Sequence, residues 1–507
     1  MGTSQHIEVE RKYDVDQATI LPSSLAEADG VTAMRQPVEH QLEAVYFDTS
    51  ELDLARRGVT LRRRTGGGDE GWHLKLPGDQ DARAEVRVPL GRAFRSVPAR
   101  LRAPVRAIVR DRPLVPVARV TTRRVEHALL GDDSVVLAVV CDDAVHAERL
   151  QGPAKEQDWR EWEVELVDGA GSLLDAVERQ LLAAGAAPAT AVSKLSRTLA
   201  ETVPDAPRRP SRKHLARGSA AQLLLAHLAE HTTRLHRQDA AVRADRPEGV
   251  HKLRIAARRL RSALTTYRPL FQAGAADPLR EELRWLGQSL SDARDAQVLR
   301  QHLLHIVSSE RPELVLGPVA DRIDHELSVA YRAGREQALL ALESERYFRL
   351  LDALDDLVRS APLIPDAEAP AKDVVPRLLR RDAKRLRRAV QPIEQADDTQ
   401  GRDLALHEAR KKAKRLRYAA ESASPLLGKR AKVLAASAEK VQESLGLHQD
   451  SVVARQKLRE YGVQAHLSGE NGFTFGRLHA LEQWRADQAE QQFVVAWEAL
   501  RSRVSRL

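Results

Sequence analysis

The chain has 507 residues, a length suited to about three domains, and is 43% hydrophobic but only 4% aromatic, so its cores must rest on Leu, Ala and Val. Its net charge of +8 and pI of 9.6 favour an anionic partner: nucleic acid, a membrane surface or polyphosphate. One cysteine, Cys141, excludes an intramolecular disulfide; with no apolar signal core at the N-terminus and no apolar run longer than Val135 to Cys141, the expectation is a cytoplasmic protein with no membrane partner.

Residues 1–202 read as short alternating strands. Candidates are Ile7–Tyr13, Glu43–Phe47, Val59–Arg64, Gly71–Leu76, Ala84–Leu90, Ala118–Leu129, Val135–Cys141 and Arg160–Val167, with a helix at Ser172–Ala184. In a strand, residues two apart share a face. Glu8, Glu10 and Lys12 therefore oppose Ile7 and Val9, Arg62 and Arg64 oppose Leu61, and Lys75 opposes Leu74 and Leu76. Glu161, Glu163 and Glu165 oppose Trp162 and Val164. Two readings stay open. One is a half-solvated antiparallel sheet, charged outward and apolar inward. The other is a barrel whose charged face points into a tunnel. Carboxylates concentrate on the first and last strands and cations on those between. Carboxylates suit Mg²⁺ or Mn²⁺ and cations suit phosphate oxygens, so the second reading describes a metal-triphosphate site.

Glu8-Val-Glu10-Arg-Lys12 resembles the ExExK signature of the CYTH superfamily, the triphosphate tunnel metalloenzymes. The likeness continues through Tyr46-Phe-Asp-Thr49, Leu61-Arg-Arg-Arg64, Leu74-Lys-Leu-Pro77, Arg83-Ala-Glu85, Glu163-Val-Glu165 and Ser193-Lys194-Leu. The resemblance implies that Glu8, Glu10, Glu163 and Glu165 hold a divalent metal, Mg²⁺ or Mn²⁺, with Asp142 where the family often has an acidic strand end. It implies that Arg62, Arg64, Lys75, Arg119, Arg123 and Lys194, with Lys12, hold the triphosphate. Arg124 is an alternative to Arg123, and Glu161 is extra to the pattern. Lys12, Glu8 and Glu10 are the expected catalytic residues, with Lys12 either orienting or deprotonating water, through a pKa lowered by neighbouring cations, or serving as one more phosphate clamp.

A proline-rich, polar stretch over 203–213 reads as a linker. From 214 to 507 the periodicity is helical, and a second break at Ala361–Pro370 divides it into halves of about 214–360 and 373–507. The halves share a basic pattern about 156 residues apart: His251, Arg254, Arg258, Arg259 and Arg261 in one, His407, Arg410, Lys414, Arg415 and Arg417 in the other. At about 3.6 residues per turn, positions 0, +3, +7 and +10 from each histidine fall on one helix face. Such a face asks for a polyanion. Each half also repeats a segment ending in Asp295 or Asp450, about 44 residues past its histidine, so an internal duplication is expected.

The paired helices resemble the CHAD domain, a helical module whose members bind inorganic polyphosphate and often follow a CYTH domain. The implied anion-facing set is His251, Arg254, Arg258, Arg261, His407, Arg410, Lys414 and Arg417. The overall expectation is an α+β multidomain chain: an N-terminal antiparallel β-barrel with flanking helices, then an all-α helical bundle of two repeated halves. The expected activity is metal-dependent hydrolysis of inorganic triphosphate with polyphosphate bound by the helices. Adenylate cyclase, thiamine triphosphatase and a non-catalytic polyphosphate scaffold are the alternatives. No specific nucleic acid is expected, because few aromatic side chains flank the basic helices.

Overall fold

Two units of the chain, Met1–Arg208 and Arg209–Leu507, each enclose their own core. The computed structural model describes residues 4–77, 82–91, 96–200, 210–246, 248–396 and 398–504; the side chains of 4–8, 77, 82 and 83 lie outside that description.

The first unit is an antiparallel sheet of β1 (Ser4–Val15), β2 (Ala33–Met34), β3 (Val38–Asp48), β4 (Thr60–Thr65), β5 (Gly71–Pro77), β6 (Ala82–Val88), β7 (Val115–Leu130), β8 (Val136–Arg149), β9 (Glu156–Leu166) and β10 (Ala187–Pro188). Its order is β10-β1-β6-β5-β4-β3-β7-β8-β9, and β9 pairs back onto β1. The return is staggered. Residues Ser4–Val9 of β1 pair with β6, whereas Glu10–Val15 pair with β9. The strands thus run a full circuit without one continuous seam.

Alternation decides which face looks inward. The apolar sides of β4, β5 and β6 (Leu61, Trp72, Leu74, Val86) bury against Leu101, Val105 and Ile108 of α1 (Ala99–Val109). Tyr13, Val140, Trp162 and Val164 bury against Leu173, Leu174, Val177 and Leu181 of α2 (Gly171–Ala183). Helices cover the apolar faces, so the charged faces are left to the interior. This settles the choice left open by the sequence in favour of the inward-charged sheet. A further core of Tyr46, Ala118, Val120, Val145, Trp159, Leu195 and Leu199 involves α3 (Lys194–Thr198).

The second unit comprises α4 (Arg212–Arg217), α5 (Ala220–Arg243), α6 (Gly249–Thr266), α7 (Asp277–Ser289), α8 (Ser291–Ser308), α9 (Val319–Leu342), α10 (Glu345–Arg359), α11 (Ala371–Glu394), α12 (Thr399–Ser422), α13 (Ser424–Leu427), α14 (Lys429–Leu467) and α15 (Phe473–Val504). The expected linker lies outside the described residues up to 209, and its last two residues already belong to α4, capped by Ser211. The break at Ala361–Pro370 is built in rather than loose: Phe271 bridges Leu363, and Ser219 bridges Pro370. The repeat is imperfect. The first half breaks at Leu290 between α7 and α8, where the second runs on as the single 39-residue α14. The core joins the halves, since Leu303 and Ile306 of α8 and Ile323 of α9 pack with Leu458 and Tyr461 of α14 and Phe475 of α15.

Candidate active site and anion-binding cluster

The inward faces of the sheet line one cavity. Glu10, Lys12, Arg62, Arg64, Lys75, Glu163, Glu165 and Lys194, all expected from the sequence, border it, joined by Tyr46, Asp69, Arg87 and Arg124. The tightest part is a carboxylate hub. Lys194, the first residue of α3, is aimed inward by a capping box in which the Ser193 side chain accepts from Ser196 N. Its Nζ lies 2.8 Å from Asp143, 2.7 Å from Glu161 and 2.7 Å from Glu163. Arg124 grips Asp143 with two bonds of 2.8 and 2.6 Å and also reaches Glu163. Lys12 donates to Glu163 and, at 3.2 Å, to Glu10.

These contacts set the protonation states. Burial alone would lift the Glu163 carboxyl, but Lys12, Lys194 and Arg124 hold it well below the usual range. Asp143 is likewise lowered by Lys194 and Arg124 against the effect of burial. Burial pulls the Lys12 ammonium down, yet Glu10 and Glu163 outweigh it and the net shift is upward. The expectation of a lysine depressed by neighbouring cations is therefore reversed: Lys12 stays charged because its nearest neighbours are carboxylates. Its ammonium donates to Glu10 and Glu163.

Three expected site residues do not reach the cavity. Arg119 and Arg123 are 48% and 56% exposed, facing Glu43 and Glu148, and Glu39, respectively. Over Ala118–Arg124, β7 turns its even-numbered residues inward, so Arg124 occupies the place expected of Arg123, the alternative raised by the sequence. Asp142 points outward and binds Arg160 at 2.8 and 2.6 Å; that guanidinium also ties the carbonyls of Asp16, Gln17 and Thr19. Its neighbour Asp143 is the inward carboxylate. β8 runs on to Arg149 instead of ending near Cys141, and period two then selects Asp143. Glu8 sits in β1 opposite Arg83, and its side chain lies outside the described residues. Within the Tyr46–Thr49 motif, Asp48 serves the backbone: it accepts from the N–H groups of Thr49, Leu54 and Ala55 at 2.7 to 2.9 Å.

The donor set fits a hard divalent cation. Carboxylate oxygens of Asp143, Glu161 and Glu163 lie within 4.8 Å of one another, and Glu10 and Glu165 stand opposite each other on β1 and β9 at the same cavity.

In the second unit, Arg254 and Arg258 of α6 lie within electrostatic reach of Arg410 and Lys414 of α12. Burial, Arg410 and Arg258 together bring the Lys414 ammonium down to about 7. The repeated aspartates are explained here: Arg254 binds Asp295 at 3.0 Å and Arg410 faces Asp450 at 3.9 Å. His407 Nδ1 meets Gln449 Oε1 at 2.8 Å, and His251 lies near Arg294, Arg258 and Arg254. The +10 positions differ. Arg417 is neutralised by Glu421 at 2.8 Å and Glu439 at 2.7 Å, while Arg261 neighbours Arg284 and Arg280 as well as Arg258. The +8 arginines, not assigned to the anion, join helices: Arg259 pairs with Glu421 of α12 at 2.6 Å, and Arg415 pairs with Asp382 of α11 and donates to Thr265 O of α6 at 3.3 Å. A separate cleft is lined by Arg268, Arg280, Arg385, Arg388, Lys412 and Arg415. Of this lining, Arg415 belongs to the repeated basic pattern.

Residues 6–199 match the CYTH domain family and residues 226–459 the CHAD domain family. The chain is a CYTH–CHAD protein. Relatives share this organisation end to end: Rv2226 of Mycobacterium tuberculosis, named an uncharacterized protein, is 41% identical over 98% of this chain and 97% of its own. Among solved structures, PptA from Streptomyces chartreusis is 22% identical with a TM-score of 0.46, covering 55% of this chain and 99% of that one. The CHAD domain from the plant Ricinus communis is 25% identical with a TM-score of 0.42, covering 59% of this chain and 98% of that one. In this CYTH–CHAD protein the CHAD match ends within α14, so α15 lies beyond it. That helix supplies Glu482 to His302 at 3.0 Å and Glu490 to Arg402 and His448. Among the described residues no helix is long and apolar enough to cross a membrane.

Proposed function

We propose that the CYTH unit hydrolyses inorganic tripolyphosphate with a divalent metal, and that the CHAD unit binds longer polyphosphate through Arg254, Arg258, Arg410 and Lys414. The observation that carries the first reading is the cavity lining. Cations from four strands (Arg62, Arg64, Lys75, Arg87 and Arg124) and from α3 (Lys194) face carboxylates of β1 and β9 across one space. The aromatic side chain in that lining, Tyr46, accepts from Arg62 through its hydroxyl oxygen, which favours a bare phosphate chain over a nucleoside.

Chemically, water attacks a terminal phosphorus, the bridging P–O bond breaks, and orthophosphate and pyrophosphate leave. Guanidinium and ammonium groups neutralise the charge that gathers on the phosphoryl oxygens in the transition state. Lys12, held protonated between Glu10 and Glu163, contributes to that neutralisation. A bound Mg²⁺ or Mn²⁺ would add Lewis-acid polarisation, with Glu10, Glu163 and Glu165 as its expected oxygen donors and Asp143 and Glu161 as the further buried carboxylates. The test is phosphate release from tripolyphosphate, ATP, thiamine triphosphate and long polyphosphate with each metal, for the wild type and for Glu10→Gln. Metal-dependent release from tripolyphosphate, lowered about a hundredfold or more by Glu10→Gln, is the expected result. Cyclic AMP formation from ATP, or binding without release, would reject the reading.

A further inference from the structure

Among the cations of the cavity stands one acid that the hub does not use. Asp69 lies in the turn between β4 and β5, lines the cavity, and places its carboxylate on Arg64 Nη1. Arg62 and His73 are also within its electrostatic reach. Its side chain is 32% exposed, whereas that of Arg64 is 8% exposed, so the acid stands on the solvent side of the cation it covers. The turn carrying it is held. The Asp69 carbonyl meets His73 Nε2 at 2.9 Å, and His73, 1% exposed, meets Glu85 Oε1 at 2.9 Å through Nδ1. Each ring nitrogen thus faces an oxygen, one from the turn and one from β6. Glu70 accepts from Gly66 N at 2.7 Å. Gly66 has φ +82° and sits so close to β3 that a Cβ there would fall 2.0 Å from Gln41 O. The backbone that carries the carboxylate is thus held on both sides of Asp69.

An anion that lies against Arg62, Arg64 and Lys75 but stops short of Asp69 avoids its carboxylate. A longer linear phosphate chain must bring a further anionic oxygen against that carboxylate or pull it off Arg64. Discrimination of this kind arises from a built-in repulsion toward the wrong ligand. We propose that Asp69 is a specificity-determining residue that closes the β4–β5 end of the cavity to phosphate chains longer than triphosphate. This inference rests on the triphosphate reading of the same cavity.

The test compares the full-length wild type with Asp69→Asn and Asp69→Ala, on linear tripolyphosphate and linear tetrapolyphosphate. The turn survives both changes because its tie to His73 runs through the backbone, and an unchanged melting temperature without ligand checks this. Two readouts are taken: kcat/KM with Mg²⁺ or Mn²⁺, and the rise in melting temperature that each phosphate produces. The CHAD unit is common to all three proteins, so the difference between them reports Asp69. The tetraphosphate-to-triphosphate ratio is expected to rise about tenfold in both variants, in turnover and in stabilisation. An unchanged ratio, or equal gains for both chains, overturns the proposal, since Asp69 would then be a turn residue or a general competitor for Arg64. Absence of turnover with the binding ratio still shifted would reject the triphosphatase reading and keep Asp69 as the gate.

Discussion

Lys194 holds three carboxylates with one ammonium. Removing one partner from a buried ion network costs more than the pair contributes, because the remaining charges stay desolvated. Lys194→Met should therefore destabilise the CYTH unit by about 3–5 kcal/mol, seen as an earlier first transition in urea unfolding of the full chain. Added Mg²⁺ or Mn²⁺ should restore part of the loss by replacing the missing positive charge. Lys414 shows the opposite balance, with burial, Arg410 and Arg258 bringing it to about 7. Its ammonium is depressed in the fold and ordinary in the unfolded chain, so between about pH 7 and 10.5 the unfolded state binds more protons and stability rises with pH. A bound polyanion reverses the depression. Polyphosphate binding at pH 8 should therefore take up a proton, read by calorimetry in buffers of different ionisation enthalpy, and Lys414→Met should abolish the uptake.

Within elements, the facing of a strand or helix decides which charges are available. The +3 and +7 cations of α6 and α12 converge, but Arg417 at +10 is consumed by Glu421 and Glu439. Arg410→Gln should weaken polyphosphate affinity about tenfold, whereas Arg417→Gln should change it by no more than about twofold; a direct binding titration distinguishes them. Arg415 serves packing. It pairs with Asp382, which is 1% exposed and also accepts from Thr266 at 2.6 Å and Arg385 at 3.0 Å. Arg415→Met should lower the stability of the CHAD unit by about 2–4 kcal/mol in chemical unfolding, because part of a buried network loses its cation.

Across the whole molecule, two units with separate cores carry two separate concentrations of positive charge. The CYTH unit encloses a cavity lined by cations and carboxylates; the CHAD unit presents its cluster between α6 and α12. A fragment of residues 1–208 should keep tripolyphosphate turnover within about threefold of the full chain while losing most affinity for long polyphosphate, measured side by side at one ionic strength. An equal loss of both would mean that the cavity depends on the CHAD unit for more than capture of long chains.

Much of this was legible in the residues themselves. Period-two charge on Glu10–Lys12, Arg62–Arg64 and Glu163–Glu165 marked the cavity wall, and the repeated histidine helices marked the second unit. The duplication even exposed a contact, since Asp295 and Asp450 recur because each faces the +3 arginine of its own half. What alternation alone could not supply was direction and extent. A strand has two faces whichever way it points, and only the packing of α1 and α2 on the apolar side turned the charges inward. A strand read as ending at Cys141 pointed to Asp142, and its continuation to Arg149 put Asp142 on the outer face and Asp143 on the inner one. Side-chain type and spacing determined the kind of chemistry; tertiary packing determined which of two adjacent residues, Arg123 or Arg124 and Asp142 or Asp143, could reach it. The physical reason is that sequence period sets relative facing, whereas absolute facing is chosen by what buries the other side.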